Sequence, residues 1–503
     1  MRRKTFDLIY ILLLFAEFSF STTNPYFQIK VIDEQTGRGV PLVELSIVND
    51  IVYYTDSAGI VAFYEPGLMD KNVWFFVKSH GYDSYKDRWN YSGEAFVTRP
   101  GGYGEIKIKR INRAERLYRI TGQGIYADSV KLGLPTPISA PVFNSSVMGQ
   151  DSTQALVYKN KIYWFWGDTR KPGHRLGLFK VAGAVSDLEV KGGLDPNIGI
   201  NLKYFTDDNN NVRIMFPFEG DEAIWIGSPI LVKYGDNEKM IVHYSRMKSL
   251  GERVEHGLAV YNDKKNIFEK IKSLDLKRQW DCPRGHAIKY AVDGVDYFWF
   301  ADPYATIRVK ADYNSILDPN SYQTFTCLKP GSRYLKDKSE LNRNEKGKLI
   351  YQWLTGTDPI GAREERELNK AGLILPNEVR YKPLSADTNE TPLLASGSLA
   401  WNDYRKKWVI VAGEAFGKTS AFGEIWYAEA NDITGPWSKC WKIVTHDHYT
   451  FYNPVHHTFF DQKNGRIIYF EGTYCSMFSG TKQPTPRYDY NQIMYKLDLA
   501  NIR

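Results

Sequence analysis

Apolar and polar positions in the C-terminal part of this chain repeat one pattern four times. An apolar run meets a turn-like stretch, then a second run rich in aromatic and β-branched residues, then a lone carboxylate. The second runs are Lys161-Ile-Tyr-Trp-Phe-Trp-Gly-Asp168, Asp296-Tyr-Phe-Trp-Phe-Ala-Asp302, Lys407-Trp-Val-Ile-Val-Ala-Gly-Glu414 and Arg466-Ile-Ile-Tyr-Phe-Glu471. Ahead of them lie the turns Lys159-Asn160, Val292-Asp293-Gly294, Asn402-Asp403-Tyr404-Arg405 and Asp461-Gln462-Lys463-Asn464-Gly465. Strand, turn, strand and acid at intervals of tens of residues is how the inner half of a propeller blade reads. A fifth hairpin, Ser228 to Tyr234 and Met240 to Tyr244 around Gly235-Asp236-Asn237, is less regular. It ends in Tyr244 and Arg246 where its sisters carry an acid. The five hairpins predict a five-bladed β-propeller over residues 146–503.

In such a propeller the ends of the second strands and the starts of the first strands share one face. Asp168, Tyr244 with Arg246, Asp302, Glu414 and Glu471 are then expected around one axial pocket. Stepping back along each hairpin gives the first-strand starts Asp151, Ser228, His286, Ser398 and His456. Around these positions lie Gly149-Gln-Asp-Ser-Thr153, Cys282-Pro-Arg-Gly-His286 and Tyr452-Asn-Pro-Val-His-His457, which add Arg284 and His457. Neighbours on a strand face opposite sides, so one of His456 and His457 is expected to line the pocket. Gathered carboxylates imply a task or a partner, because burying an uncompensated charge is costly.

The N-terminal part has a different vocabulary. Phe27-Gln-Ile-Lys-Val-Ile32 alternates as a strand, Val43-Glu-Leu-Ser-Ile47 and Val73-Trp-Phe-Phe-Val77 follow, and Gly and Asp turns separate them. Short strands at near-regular spacing predict a small β-sandwich over residues 26–110. Val31-Ile-Asp33 with Thr36-Gly37, Val40-Pro41, Thr55-Asp56 with Gly59, and Gly81-Tyr82 make this unit resemble the carboxypeptidase regulatory-like domain, which implies a transthyretin-like sandwich. Residues 111–145 read as a connector with one or two strands. Within the propeller, 336–389 is charged and includes the helix-like run Ala362 to Ala371, expected as a decoration with a solvated face. The whole chain is read as all-β.

Composition adds compartment and substrate class. Residues 1–21 carry Arg2, Arg3 and Lys4, an apolar stretch Ile9 to Ala16 and a small-residue exit at Ser19-Phe-Ser21, the pattern of a secretory signal. The run is short for a membrane span, and no later segment approaches one. The mature protein is therefore expected to be secreted or periplasmic. Its formal charge, +7 for the whole chain, comes without basic runs suited to nucleic acid. The four cysteines, Cys282, Cys327, Cys440 and Cys475, lack metal-ligand spacing, and their pairing is open. Aromatic residues make up 15% of the chain, mostly as sheet packing, and they also suit the stacking of sugar rings.

Two carboxylates flanking a glycosidic bond supply the acid and the base or nucleophile that hydrolysis needs. The first hairpin offers Asp151 and Asp168, and Glu414 or Glu471 is a candidate protonated acid across the axis. Gln150-Asp151-Ser152 followed by Ile162-Tyr-Trp-Phe-Trp-Gly-Asp-Thr169 resembles the first blade of the propeller family that includes endo-D-arabinanases. That resemblance implies catalytic roles for Asp151 and Asp168. Glu424 to Ala430 with Thr434-Gly-Pro-Trp437 is similar to outer-strand signatures of arabinanase- and xylosidase-type five-bladed glycosidases, whereas Cys-Pro-Arg-Gly-His and the histidine-rich last blade depart from the arabinanase pattern.

The leading expectation is a glycoside hydrolase acting on a polysaccharide or oligosaccharide, with Asp151, Asp168 and Glu414 catalytic. Substrate binding would fall to Arg284, His286, Asp302, His456, His457, Glu471, Tyr244 and Arg246. One alternative is a lyase on a uronate-containing glycan, using His286 or His456, Tyr244 or Tyr474, and Arg284. The other is a non-catalytic glycan-binding surface protein, in which pocket carboxylates would already be paired with Arg or Lys. No cofactor is required by this chemistry. Calcium at the acid cluster is allowed, although no contiguous Asp-rich loop supports it.

Overall fold

The computed structural model describes residues 24–178, 180–278, 280 and 283–503. The signal-like stretch 1–21 and Cys282 lie outside the described residues. The protein is all-β, with 44% strand and 8% helix. Cys327, Cys440 and Cys475 are buried and free.

Two four-stranded sheets form the N-terminal part. One contains Phe27–Asp33, Ile60–Phe63, Tyr82–Ser84 and Tyr103–Arg110, the other Glu44–Ser46, Val52–Tyr54, Asn72–Lys78 and Gly93–Val97. Alternation sets their faces: Phe27, Ile29 and Val31 point inward while Gln28 and Lys30 are half-exposed. Val73, Phe75 and Val77 meet them from the second sheet in one shared core.

Six further sheets follow among the described residues: a small one of Gly149–Gln150, Thr169–Lys171 and His174–Leu178, and five larger ones in chain order. The first two strands of the larger sheets, taken as first to fifth, are Gln154–Tyr158 and Lys161–Trp166, Ala223–Tyr234 and Asn237–Ser249, His286–Val292 and Val295–Ala301, Leu394–Asn402 and Lys407–Glu414, and Thr450–His456 and Ile467–Cys475. Each of these five shares an apolar core with the next, and the fifth shares one with the first. Trp299, Trp408 and Trp426, for example, meet between the third and fourth sheets, and Trp164, Tyr469 and Met494 between the fifth and first. This double-sided packing explains why the second strands read as continuous apolar runs. Trp164 and Trp166 face one neighbouring sheet and Phe165 the other.

The fifth sheet takes its outer strand from far upstream. Glu115–Arg119, inside the stretch expected to connect the two parts, pairs antiparallel with Asn491–Asp498. Leu117 and Tyr118 of this strand are buried in the core between the fifth and first sheets.

Two expectations need correction. The strands of the second hairpin are the longest in the ring, so Tyr244 and Arg246 lie within Asn237–Ser249 and not at its end. The helix Ala362–Lys370 is not simply a solvated face. Its Glu365 is buried and accepts hydrogen bonds from Tyr351 Oη (2.7 Å) and from the backbone N–H groups of Arg380 (2.8 Å) and Tyr381 (2.7 Å).

The two N-terminal sheets are tied to the ring by buried polar contacts. Tyr488 Oη accepts from Leu42 N–H (3.1 Å) and donates to Thr55 C=O (2.6 Å), with the Arg119 guanidinium 4.9 Å from its ring centre. Asp56 accepts from both the N–H and the hydroxyl of Ser129 (2.8 Å each).

Candidate active site

One residue in or just before each first strand has left-handed backbone: Ser152 (φ 55°), Ser228 (52°), Gly285 (76°), Ser396 (58°) and Asn453 (49°). Small and polar residues tolerate this geometry best, and it turns polar groups towards the neighbouring sheet. Ser228 N–H and Oγ both donate to Gly285 C=O (3.0 and 3.1 Å). Gly397 N–H donates to Asp302 (3.1 Å), Ser396 Oγ to Asn453 Oδ1 (2.7 Å), and Asn453 Nδ2 to Ser152 Oγ (2.7 Å). Trp225 Nε1 donates to Asp168 Oδ1 (3.3 Å) and closes the seam between the first and second sheets. All five seams are thus bridged at one end of the ring.

Asp151 and Asp168 meet at this end. Asp151 N–H bonds Asp168 C=O (3.3 Å) and Gly167 N–H bonds Asp151 C=O (3.1 Å), so the two residues face each other across the first hairpin. The Asp151 carboxylate accepts from Tyr452 Oη (2.7 Å) and from Asp168 N–H (2.9 Å). Among the described residues the Asp168 carboxyl has only longer bonds, from Trp225 Nε1 and Tyr490 Oη, both 3.3 Å. Burial, and after it the Asp151 charge, push the Asp168 pKa up to about 7. Burial raises Asp151 as well, opposed first by the Tyr452 hydroxyl and the Asp168 N–H. The shorter bonds place the first negative charge on Asp151, leaving the proton on Asp168. Among the described residues neither forms an ion pair with Lys or Arg, whereas nearby Asp489 pairs with Arg170 (2.9 Å). Arg170 in turn lies 4.1 Å from the Tyr490 ring centre.

The other expected residues are distributed around this pair. Glu414 accepts from Trp426 Nε1 (2.8 Å), and its charged neighbours are Lys442, Glu424 and Glu390; burial raises its pKa. Asp302 holds the Gly397 N–H; burial raises its pKa and the Arg284 charge lowers it. His286 is held neutral, its pKa lowered to about 4 by burial first and then by His457. Arg246 is bound by Glu222 (2.8 Å) and Glu255 (3.5 Å), and Tyr244 Oη donates to Glu255 (2.6 Å).

The structure differs most from expectation in the last hairpin. Glu471 is fully buried between the fifth and first sheets and bonds His457 Nε2 (2.6 Å), while His456 Nε2 bonds Asp461 (2.7 Å). Both histidines are buried and each is occupied by a carboxylate. The positions matching Asp151, each just before the left-handed residue, are Gly227, Arg284, Ala395 and Tyr452. Register shifts at Gly227/Ile230, Ala395/Gly397 and Tyr452/Val455 displace Ser228, Ser398 and His456 from that ring. Tyr490 and Trp225 were not legible as site residues, since one sits in a loop end and the other inside an apolar strand. Tyr452 stood in a segment rich in functional groups.

Loops after the second strands of the fourth and fifth sheets add apolar surface at this end. Phe416 (80% exposed) and Phe478 (59%) flank Phe422, with ring centres 5.7 and 5.8 Å away. Among the described residues no group of three or more His, Cys, Asp or Glu is arranged to hold a metal ion.

No family model matches the chain, and no curated protein matches it. Among solved structures it is similar to an exo-β-1,3-galactanase from Phanerochaete chrysosporium solved with galactose (TM-score 0.36, 9% identity, 77% of this chain and 65% of that chain). It is also similar to an exo-β-1,3-galactanase from Clostridium thermocellum (0.34, 11%, 71% and 60%) and to the arabinanase of Bacillus subtilis (0.32, 11%, 70% and 95%). All three lie below a TM-score of 0.5.

Proposed function

We propose that this protein is a secreted or periplasmic glycoside hydrolase. In this reading residues 1–21 are a signal, 26–110 a transthyretin-like sandwich, 111–145 a connector and 146–503 a five-bladed β-propeller. The observation that carries the proposal is the Asp151–Asp168 pair, in which one carboxyl is fixed as the anion and its neighbour keeps a proton to about pH 7. Asp168 gives that proton to the glycosidic oxygen as the bond to the anomeric carbon breaks. Asp151 either takes a proton from the attacking water or attacks the anomeric carbon itself. The Phe416–Phe422–Phe478 cluster offers stacking faces for sugar rings. Glu414 stands outside the proton-transfer pair in this scheme: its carboxylate accepts from Trp426 and faces the charges of Lys442, Arg366 and Lys418 as well as those of Glu424 and Glu390. The absence of a Lys or Arg partner on the pair, among the described residues, argues against a purely glycan-holding role.

The test is reducing-end release, followed beside ultraviolet absorbance, on a panel of neutral and acidic glycans. Asp151→Asn and Asp168→Asn are expected to fold and to lose about 100-fold or more in rate. Full activity in both would overturn the paired-carboxylate mechanism. The lyase reading draws on the neutral base form of His286 beside Arg284. It requires new ultraviolet absorbance from the product, lost in His286→Ala and kept in the two Asn variants.

A further inference from the structure

The edges of the two N-terminal sheets leave a cleft. Tyr82–Ser84 pairs with Tyr103–Arg110 only at residues 108–110, so residues 103–107 have no strand partner on that side. Facing them is Gly93–Val97, the edge of the other sheet. Between these edges lies a cavity of about 520 Å³ lined by Trp74, Tyr85, Asp87, Glu94, Glu105 and Lys107, among others. That volume falls in the range of about 300–1,000 Å³ common for small-molecule sites. Gly93 is required here: a Cβ on it would lie 2.9 Å from the Trp74 indole and 2.3 Å from Phe75 O.

The loop over the cleft is held in shape by its own hydrogen bonds. Asp87 Oδ1 accepts from Trp89 N–H (2.8 Å) and Tyr91 N–H (2.9 Å), Asp87 N–H donates to Tyr91 C=O (2.9 Å), and Asn90 is left-handed (φ 68°). This turn presents three large rings to water: Tyr85 is 79% exposed, Trp89 68% and Tyr91 57%. Packing of the sandwich core does not need them, since they lie outside it. Clustered exposed rings beside hydrogen-bonding carboxylates match the two faces of a sugar, whose C–H groups stack on aromatics and whose hydroxyls donate to acids.

We propose that this cleft and its loop form a second glycan-binding site, separate from the Asp151–Asp168 pair, that takes a neutral sugar chain. Neutral is favoured because Asp87, Glu94 and Glu105 are matched by Lys107 in the cleft and by Lys86 and Arg88 in the loop, which leaves no excess positive charge to attract a polyuronate. The inference rests on the glycoside hydrolase reading for its biological sense, but its test does not.

Affinity electrophoresis of the full chain in gels containing soluble arabinan, galactan or xylan, with polygalacturonate as the acidic control, measures the site directly. The wild type and Asp151→Asn are expected to be retarded alike by at least one neutral polymer. The Tyr85→Ala/Trp89→Ala double variant is expected to bind that polymer about tenfold or more weakly. Its Tm and its turnover of a short oligosaccharide should be unchanged. The proposal is overturned if the double variant is retarded as strongly as the wild type, if no neutral polymer retards the wild type, or if only polygalacturonate does. Failure of the hydrolase reading would appear elsewhere, as full activity in the two Asn variants.

Discussion

Asp168 keeps its proton to about pH 7 because burial and the Asp151 charge disfavour the anion more than two 3.3 Å donors favour it. A carboxyl whose folded pKa lies above its ordinary value near 3.8 contributes stability that is fully present below that value. The contribution is lost as pH rises through about 7. Asp168→Asn, neutral throughout, removes that slope. Thermal unfolding is expected to give Asp168→Asn a higher Tm than wild type at pH 8, with the difference shrinking towards pH 4; a lower Tm at pH 8 would contradict the buried-pair account. Tyr452 acts through Asp151, to which it donates at 2.7 Å. A hydrogen bond to a charged group contributes about 1.5–3 kcal/mol, so Tyr452→Phe should lower the rate about 10-fold or more and move the acidic limb of the pH–rate profile upward. A profile that only scales down, without moving, would assign Tyr452 a structural part instead.

At the scale of elements, the ring of sheets depends on a strand borrowed from the N-terminal side. Glu115–Arg119 covers the edge of Asn491–Asp498, buries Leu117 and is held by the Glu115–Lys496 ion pair (2.7 Å). Leu117→Ala should therefore destabilise the protein by about 2–5 kcal/mol, as for a core position. Leu384→Ala, at an outer strand where the side chain is 43% exposed, should change stability by less than about 0.5 kcal/mol. Chemical denaturation of the two variants separates a strand that closes the ring from one that only decorates it. A bulge at Tyr452/Val455 turns His456 and His457 into the seams, where each meets a carboxylate and not the axis.

For the whole molecule, the N-terminal sheets and the ring are joined through buried polar groups. Tyr488 reaches from the ring to bond both Leu42 N–H and Thr55 C=O, and Asp56 accepts from Ser129 in the short helix Ala127–Lys131 that lies between the two parts in the chain. Leu42 N–H also donates to Thr55 C=O (3.3 Å), so Tyr488→Phe leaves these two groups bonded to each other and should cost only the net worth of the hydroxyl's bonds, about 0.5–1.5 kcal/mol. Calorimetry should show one unfolding transition in the wild type, because neither part loses its surface without exposing the other's buried groups. Two separate transitions would mean that these contacts do not couple the parts.

The local elements and the first hairpin of the site are legible in the order of residues alone. Period-two alternation at Phe27–Val31 and continuous apolar runs such as Ile162–Trp166 record how many faces of each strand are covered. Asp151 and Asp168 were legible together because a short, regular hairpin fixes their register. Tertiary structure alone decided the rest. Tyr452 and Tyr490 come from the opposite end of the chain and Trp225 from the next sheet; they reach the pair only because the ring closes. Glu471, His456 and His457 look identical in sequence to pocket residues. A one-residue bulge decides which way a strand's side chains point, and no local pattern of apolar and polar positions records that shift.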